Sequence, residues 1–138
     1  MTNSMLHTAA HACRYAVDYL RDKRRTRQSM LELQALGEAD AQLLLDDAGF
    51  GRDAFLGAMA RPFASQDLMS QAMRAVGIDR AALHADDPET LRTLEVTCAM
   101  CDHRGRCKWS LDEGTFAEIR TDICANAGEF DAIKARTA

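Results

Sequence analysis

Proline occurs twice and glycine eight times in 138 residues, too few for a collagen-like or low-complexity chain. Aromatic residues make up 6%. Much of the remaining apolar content is Ala, Leu and Met, which favour helices, rather than the β-branched and aromatic residues that favour strands. No period-2 alternation is long enough to argue for a sheet, and no internal repeat is present. No apolar run approaches the roughly 20 residues of a membrane span. The basic run at Arg21 to Arg27 follows the first apolar residues instead of preceding them, unlike a secretory leader, so a cytoplasmic location is expected. There is no Gly-rich phosphate loop, no nucleophile elbow and no paired His/Asp/Glu metal motif. Catalytic residues are therefore not identifiable, and an enzyme is not expected. The net charge of −4 provides no chain-wide positive field for nucleic acid or anionic lipid.

What is present is an ordinary globular balance, 47% apolar and 28% charged, in a length that suits one domain. Leu6, Ala10, Cys13, Val17 and Leu20 keep one helical stripe, which predicts a first helix with one buried face. Its end is basic through Arg21, Lys23, Arg24, Arg25 and Arg27. A second helix through Met30 and Leu36 is expected to stop at Gly37, a third to run from about Ala39 to Ala48, and a short fourth to end at Arg61-Pro62. That proline divides an N-terminal helical region, 1–61, from a C-terminal one, 62–138, the two expected to form one compact domain. Beyond it, Ser65 is a candidate cap for a helix carrying Leu68, Met69, Ala72 and Met73, closed by Gly77. Asp79 and Asp87-Pro88 are further caps, and Thr115 to Glu118 reads as a capping box. Asn126 is expected to open a last helix. The fold class is all-α, a small bundle of about six to seven short helices.

The five cysteines divide four to one. Cys98, Cys101, Cys107 and Cys124 give C-x2-C-x5-C-x16-C, while Cys13, on the apolar stripe of the first helix, is expected to be a small buried core residue. Cys98 and Cys101 are expected on one helix face continuing Leu91 and Leu94, with Gly105 ending that helix and turning Cys107 back. Four soft thiolates suit a tetrahedral zinc or an iron–sulfur cluster. Structural zinc commonly takes two short pairs, and this chain has one. The spread spacing resembles the cluster loops of helical DNA glycosylases of the endonuclease III class. A [4Fe–4S] cluster joining the C-terminal helices is therefore the expected cofactor, with Zn²⁺ the alternative. Around it, His103 is a loop residue near the site, and Arg104, Arg106 and Lys108 would offset its negative charge. Trp109 and Phe116 would shield it from water, and main-chain N–H groups at an Asn126 cap would donate to Cys124. His7 and His11 share a helix face, but no third ligand stands nearby, so a solvated face is expected.

The C-terminal motifs also resemble a known family. Met69 with Met73, the Val76-Gly77-Ile78-Asp79 turn, Cys98, Cys101 and Cys107 followed by Trp109, and Cys124-Ala125-Asn126-Ala127 with Phe130 are similar to the small bacterial proteins called domain of unknown function 6455, over about residues 66–135. The family prefers Pro where Ala125 stands and Leu where Ser110 stands. The resemblance implies a shared cysteine site and no known activity. Residues Arg24 to Gly49 are weakly similar to domain of unknown function 1127, whose members look like RNA-associated regulators.

Two functions are expected from these residues. The first is a small iron–sulfur protein that carries electrons or senses oxidants and meets a redox or regulatory protein partner. The second is a zinc-stabilised regulatory module whose arginines at 21–27 contact nucleic acid or an acidic protein. No membrane partner is expected.

Overall fold

The computed structural model describes residues 2–49 and 51–137. Among the described residues there are nine helices and no strand, so the all-α expectation holds while the count and the lengths differ. The first helix is the largest departure. Instead of two short helices broken near the arginines, α1 runs unbroken over Thr2–Ala35. No proline or glycine lies within it to interrupt the main-chain bonds. Gly37 then turns the chain at φ 77°, a conformation that costs a residue without a Cβ little. Helices α2 (Glu38–Ala48) and α3 (Arg52–Ala60) follow, with α2 packed on both neighbours. No described helix is long and apolar enough to cross a membrane.

The stripe of α1 expected to be buried is exposed at Leu6, Ala10, Cys13, Val17 and Leu20. The less exposed side carries Tyr15, Asp18, Asp22 and His11 instead, and His11 is buried where a solvated face was expected, while His7 is exposed. Periodicity marks which residues share a side of a helix; it does not say whether a neighbouring element covers that side.

The chain divides into two units, Met1–Pro62 and Phe63–Ala138. The second holds α4 (Ser65–Ala75), α5 (Arg80–Asp86), α6 (Pro88–Ala99), α7 (Arg104–Glu113), α8 (Phe116–Ile123) and α9 (Ala127–Thr137). Helix α4 is its centre, packing against α5, α6, α7 and α8, while α9 packs on α8. The reason lies in its sequence: Leu68, Met69, Ala72 and Met73 fall at helical spacing, and all four are buried. Met69, Ala72 and Met73 meet Leu91 and Leu94 of α6, Phe116 and Ile123 of α8, and Phe130 and Ile133 of α9 in one core.

Local sequence sets most of the boundaries. Asp79 Oδ1 accepts from the N–H groups of Ala81 and Ala82, and Asp87 Oδ1 from that of Thr90, with Pro88 in the first turn where its missing donor is harmless. Gly77 at φ 79° lets Ile78 N–H reach back to Met73 O at 2.8 Å, closing α4. Three expected caps, those of Ser65, Thr115 and Asn126, do not form. No side chain caps α4, which begins at Ser65 itself, and the Thr115 hydroxyl turns back to Ser110 O at 3.5 Å instead of capping α8.

Candidate metal centre

Helix α6 delivers Cys98 in its last turn and then stops at Met100, so Cys101 lies in the turn beyond the helix rather than on its face. The expected stop at Gly105 is also displaced. Gly105 sits inside α7, and residues 101–103 make the turn. Arg104 accounts for the stop. Only 4% exposed, its side chain returns to the end of α6, where Nε donates to Cys98 O at 3.4 Å and Nη2 to Ala99 O. The Ala99 carbonyl, which a continuing helix would have bonded, is served by the guanidinium, and Cys98 O shares it with the main-chain N–H of Cys101 at 3.2 Å. Nη1 reaches Phe63 O at 2.7 Å. Phe63 is buried and adopts φ 66°, rare for a residue with a Cβ, so Arg104 also holds this constrained backbone.

The turn carries the chain into α7, whose first full turn places Cys107, and Cys124 arrives at the C-terminal end of α8. All four cysteines line one cavity of about 390 Å³, counting the part open to solvent. Its other walls are Leu68, Met69 and Ala72 of α4, Ile123, Phe130, and Arg104 with Asn126. The sequence grouping of four cysteines against Cys13 therefore matches a spatial grouping. As the side chains stand, no set of three or more His, Cys, Asp or Glu among the described residues is placed to hold a metal ion. The four-cysteine metal site expected from the sequence is thus not shown as such; what the structure has is a cavity that all four cysteines line.

Polar groups address the sulfurs individually. The N–H of His103 donates to Cys101 Sγ at 3.4 Å, and the Cys98 thiol donates to Ser65 O at 3.5 Å. The main-chain N–H groups of Asn126 and Ala127 act on Cys124, as expected of a helix start beside it. The Asn126 side chain does not cap α9; its amide crosses to Leu94 O at 2.9 Å and ties the α8–α9 junction to α6.

The expected surroundings are sorted by the fold. Of the three cations proposed to offset the site, Arg104 alone lines the cavity. Arg106 is exposed, and Lys108 binds Asp112 at 2.7 Å and lies over the Phe63 ring. Trp109 is half-buried outside the cavity wall, and Phe116 belongs to the core. The shielding falls to Leu68, Met69 and Phe130. Their apolar periodicity was visible in the sequence, but nothing in it says that cysteines face them.

Burial pushes the Cys98 thiol up to about 11, with Arg104 pulling it down and the neighbouring thiols adding to the rise. Burial raises Cys107 to about 12, again with its three cysteine neighbours adding to the effect. Cys124 is raised by burial and lowered in part by the N–H groups of Asn126 and Ala127. These shifts have a sign. Against an ordinary value of 9.0, the fold favours the protonated thiols, so the stabilisation is complete below pH 9 and lost as pH rises through 11 to 12. For the metal-free protein, the urea midpoint is expected to fall steadily between pH 9 and 11, with Cys98 alone accounting for at most about 3 kcal/mol. A flat midpoint over that interval would show that the thiols are not buried as described.

A family model described as "Family of unknown function (DUF6455)" matches residues 58–136, which include the four cysteines. The match leaves residues 24–49 outside, so the likeness of that stretch to domain of unknown function 1127 gains nothing from it. No curated protein and no solved structure matches the chain.

Proposed function

The chain belongs to the DUF6455 family, and from that footing we propose that its C-terminal unit is an iron–sulfur protein, with Cys98, Cys101, Cys107 and Cys124 holding a [4Fe–4S] cluster. The observation that carries this reading is the convergence of four cysteines, spread over C-x2-C-x5-C-x16-C, on the walls of a single cavity. The donor chemistry fits. Thiols are the soft ligands that such clusters and zinc take, and main-chain N–H groups already point at Cys101 and Cys124. When bound, the cluster supplies one-electron transfer, used either to pass electrons to a protein partner or to report oxidants. The remaining work falls to residues of the chain. Leu68, Met69 and Phe130 keep water from one side, the His103 and Ala127 N–H groups offset sulfur charge, and Arg104 places a buried positive charge beside Cys98.

Binding must displace protons from thiols held above their usual range, so occupancy strengthens with pH and supplies part of the folding energy of this unit. Protein purified without oxygen is expected to be brown and to contain about four iron and about four acid-labile sulfide per chain. One zinc and no sulfide would overturn the cluster in favour of a zinc-stabilised module. Protein with neither would defeat both assignments.

A further inference from the structure

The cysteine site leaves the N-terminal helix without a role. Along α1, Leu6, Ala10, Cys13, Val17 and Leu20 succeed one another at alternating steps of four and three, and the same register continues to Leu31. This is the a and d spacing that interlocks one helix with another. Because α1 is unbroken, these positions form one seam about 38 Å long from residue 6 to residue 31. The seam is uncovered, with Leu6 69%, Val17 51%, Leu20 62% and Leu31 53% exposed.

The charges on the seam have one sign. Arg24 and Arg27 occupy its a and d positions, while Arg14, Arg21 and Lys23 occupy the flanking e and g positions, and no acidic residue stands at any of these places. Asp18 partly occupies Arg21 at 3.7 Å, leaving a strongly cationic excess. A second copy of the chain does not complement such a seam. Parallel pairing stacks Arg24 on Arg24 and Arg27 on Arg27, and antiparallel pairing centred on Val17 and Leu20 sets Arg14 against Arg21. A nucleic acid would answer the arginines and leave the apolar half from Leu6 to Leu20 bare. A lipid surface favours a broad apolar face with bulky anchors, whereas this seam is one residue wide with Ala10 and Cys13 in it.

We propose that α1 is a docking seam for an acidic amphipathic helix of a partner protein, with apolar residues at its own a and d positions and Glu or Asp beside them. The small residues Ala10 and Cys13 let the two helices approach closely, and Arg14, Arg21, Lys23, Arg24 and Arg27 select the acidic partner. This interaction is independent of what the cysteine cavity holds.

The test uses the full chain and a labelled synthetic heptad peptide with Leu at a and d and Glu at e and g, followed by fluorescence anisotropy. Binding is expected, weakened about tenfold or more by replacing the peptide's Glu with Lys, and weakened similarly in the chain by Leu20→Asp or by Arg24→Glu with Arg27→Glu. These are exposed helix positions, and circular dichroism would verify that each variant keeps its helix content. Added salt should weaken the complex. Phosphatidylserine vesicles and single-stranded RNA, titrated in parallel, should bind less tightly than the Glu peptide. Equal binding of the Glu and Lys peptides, tighter binding of vesicles or RNA, or a chain that sediments as a dimer through the seam overturns the proposal.

Discussion

Cys107→Ser and Cys124→Ser, each purified without oxygen, are expected to lose iron and sulfide and to melt far below Cys13→Ser. The two cysteines reach the cavity from different elements, Cys107 from the start of α7 and Cys124 from the end of α8, whereas Cys13 is exposed on α1. A four-thiolate site that bridges separate helix ends contributes on the order of 10 kcal/mol to folding when loaded. Losing one ligand removes much of that. An exposed Cys→Ser change should stay within about 0.5 kcal/mol. Calorimetry and iron analysis on the same preparations check both halves of the expectation. Equal melting temperatures for the three variants would reject it.

Replacing Arg104 is expected to be as damaging to the unloaded fold as any single change in the C-terminal unit. Arg104→Leu leaves the carbonyls of Phe63, Cys98 and Ala99 without the guanidinium that now serves them. An unsatisfied buried acceptor costs about 1–3 kcal/mol; Cys98 O keeps the N–H of Cys101 at 3.2 Å, and the losses at the Phe63 and Ala99 carbonyls, which share one donor group, are not additive. A loss of about 3–5 kcal/mol in urea unfolding is the expected result. Arg104→Lys should recover little, because a single ammonium lacks the planar fork that reaches three carbonyls at once. Removing the cation also removes the larger of the two charges that draw the Cys98 thiol down, Arg80 being the other, so that thiol should rise above its present value of about 11. A loss below about 1 kcal/mol would mean that water can replace the guanidinium.

The two aspartate caps and the grouping of the cysteines were the legible parts of this chain. Asp79 and Asp87 sit directly before apolar-periodic segments, and a carboxylate there has a local target in the next turn. The four cysteines were separable from Cys13 because their clustering needs no knowledge of the fold. What stayed hidden depended on distant partners. Gly105 looked like a helix stop because glycine permits one, but permission does not compel; the stop came from an arginine side chain folding back on α6. The Thr115 pattern had the right residues for a capping box, yet the hydroxyl found Ser110 O nearer. The stripe on α1 has core-like spacing, yet Leu6, Val17 and Leu20 are exposed, which spacing alone does not reveal.

The cavity also has a place in the order of synthesis. Its lining begins at Leu68 and is complete only with Phe130, drawing on α4, on both sides of the turn after α6, and on the junction between α8 and α9. Phe63 and Arg104, which hold the turn, are joined across 41 residues of chain. Contacts this distant in sequence form late. A chain that has not yet added α9 lacks Phe130, so the cavity has its full set of walls only once that helix has been made.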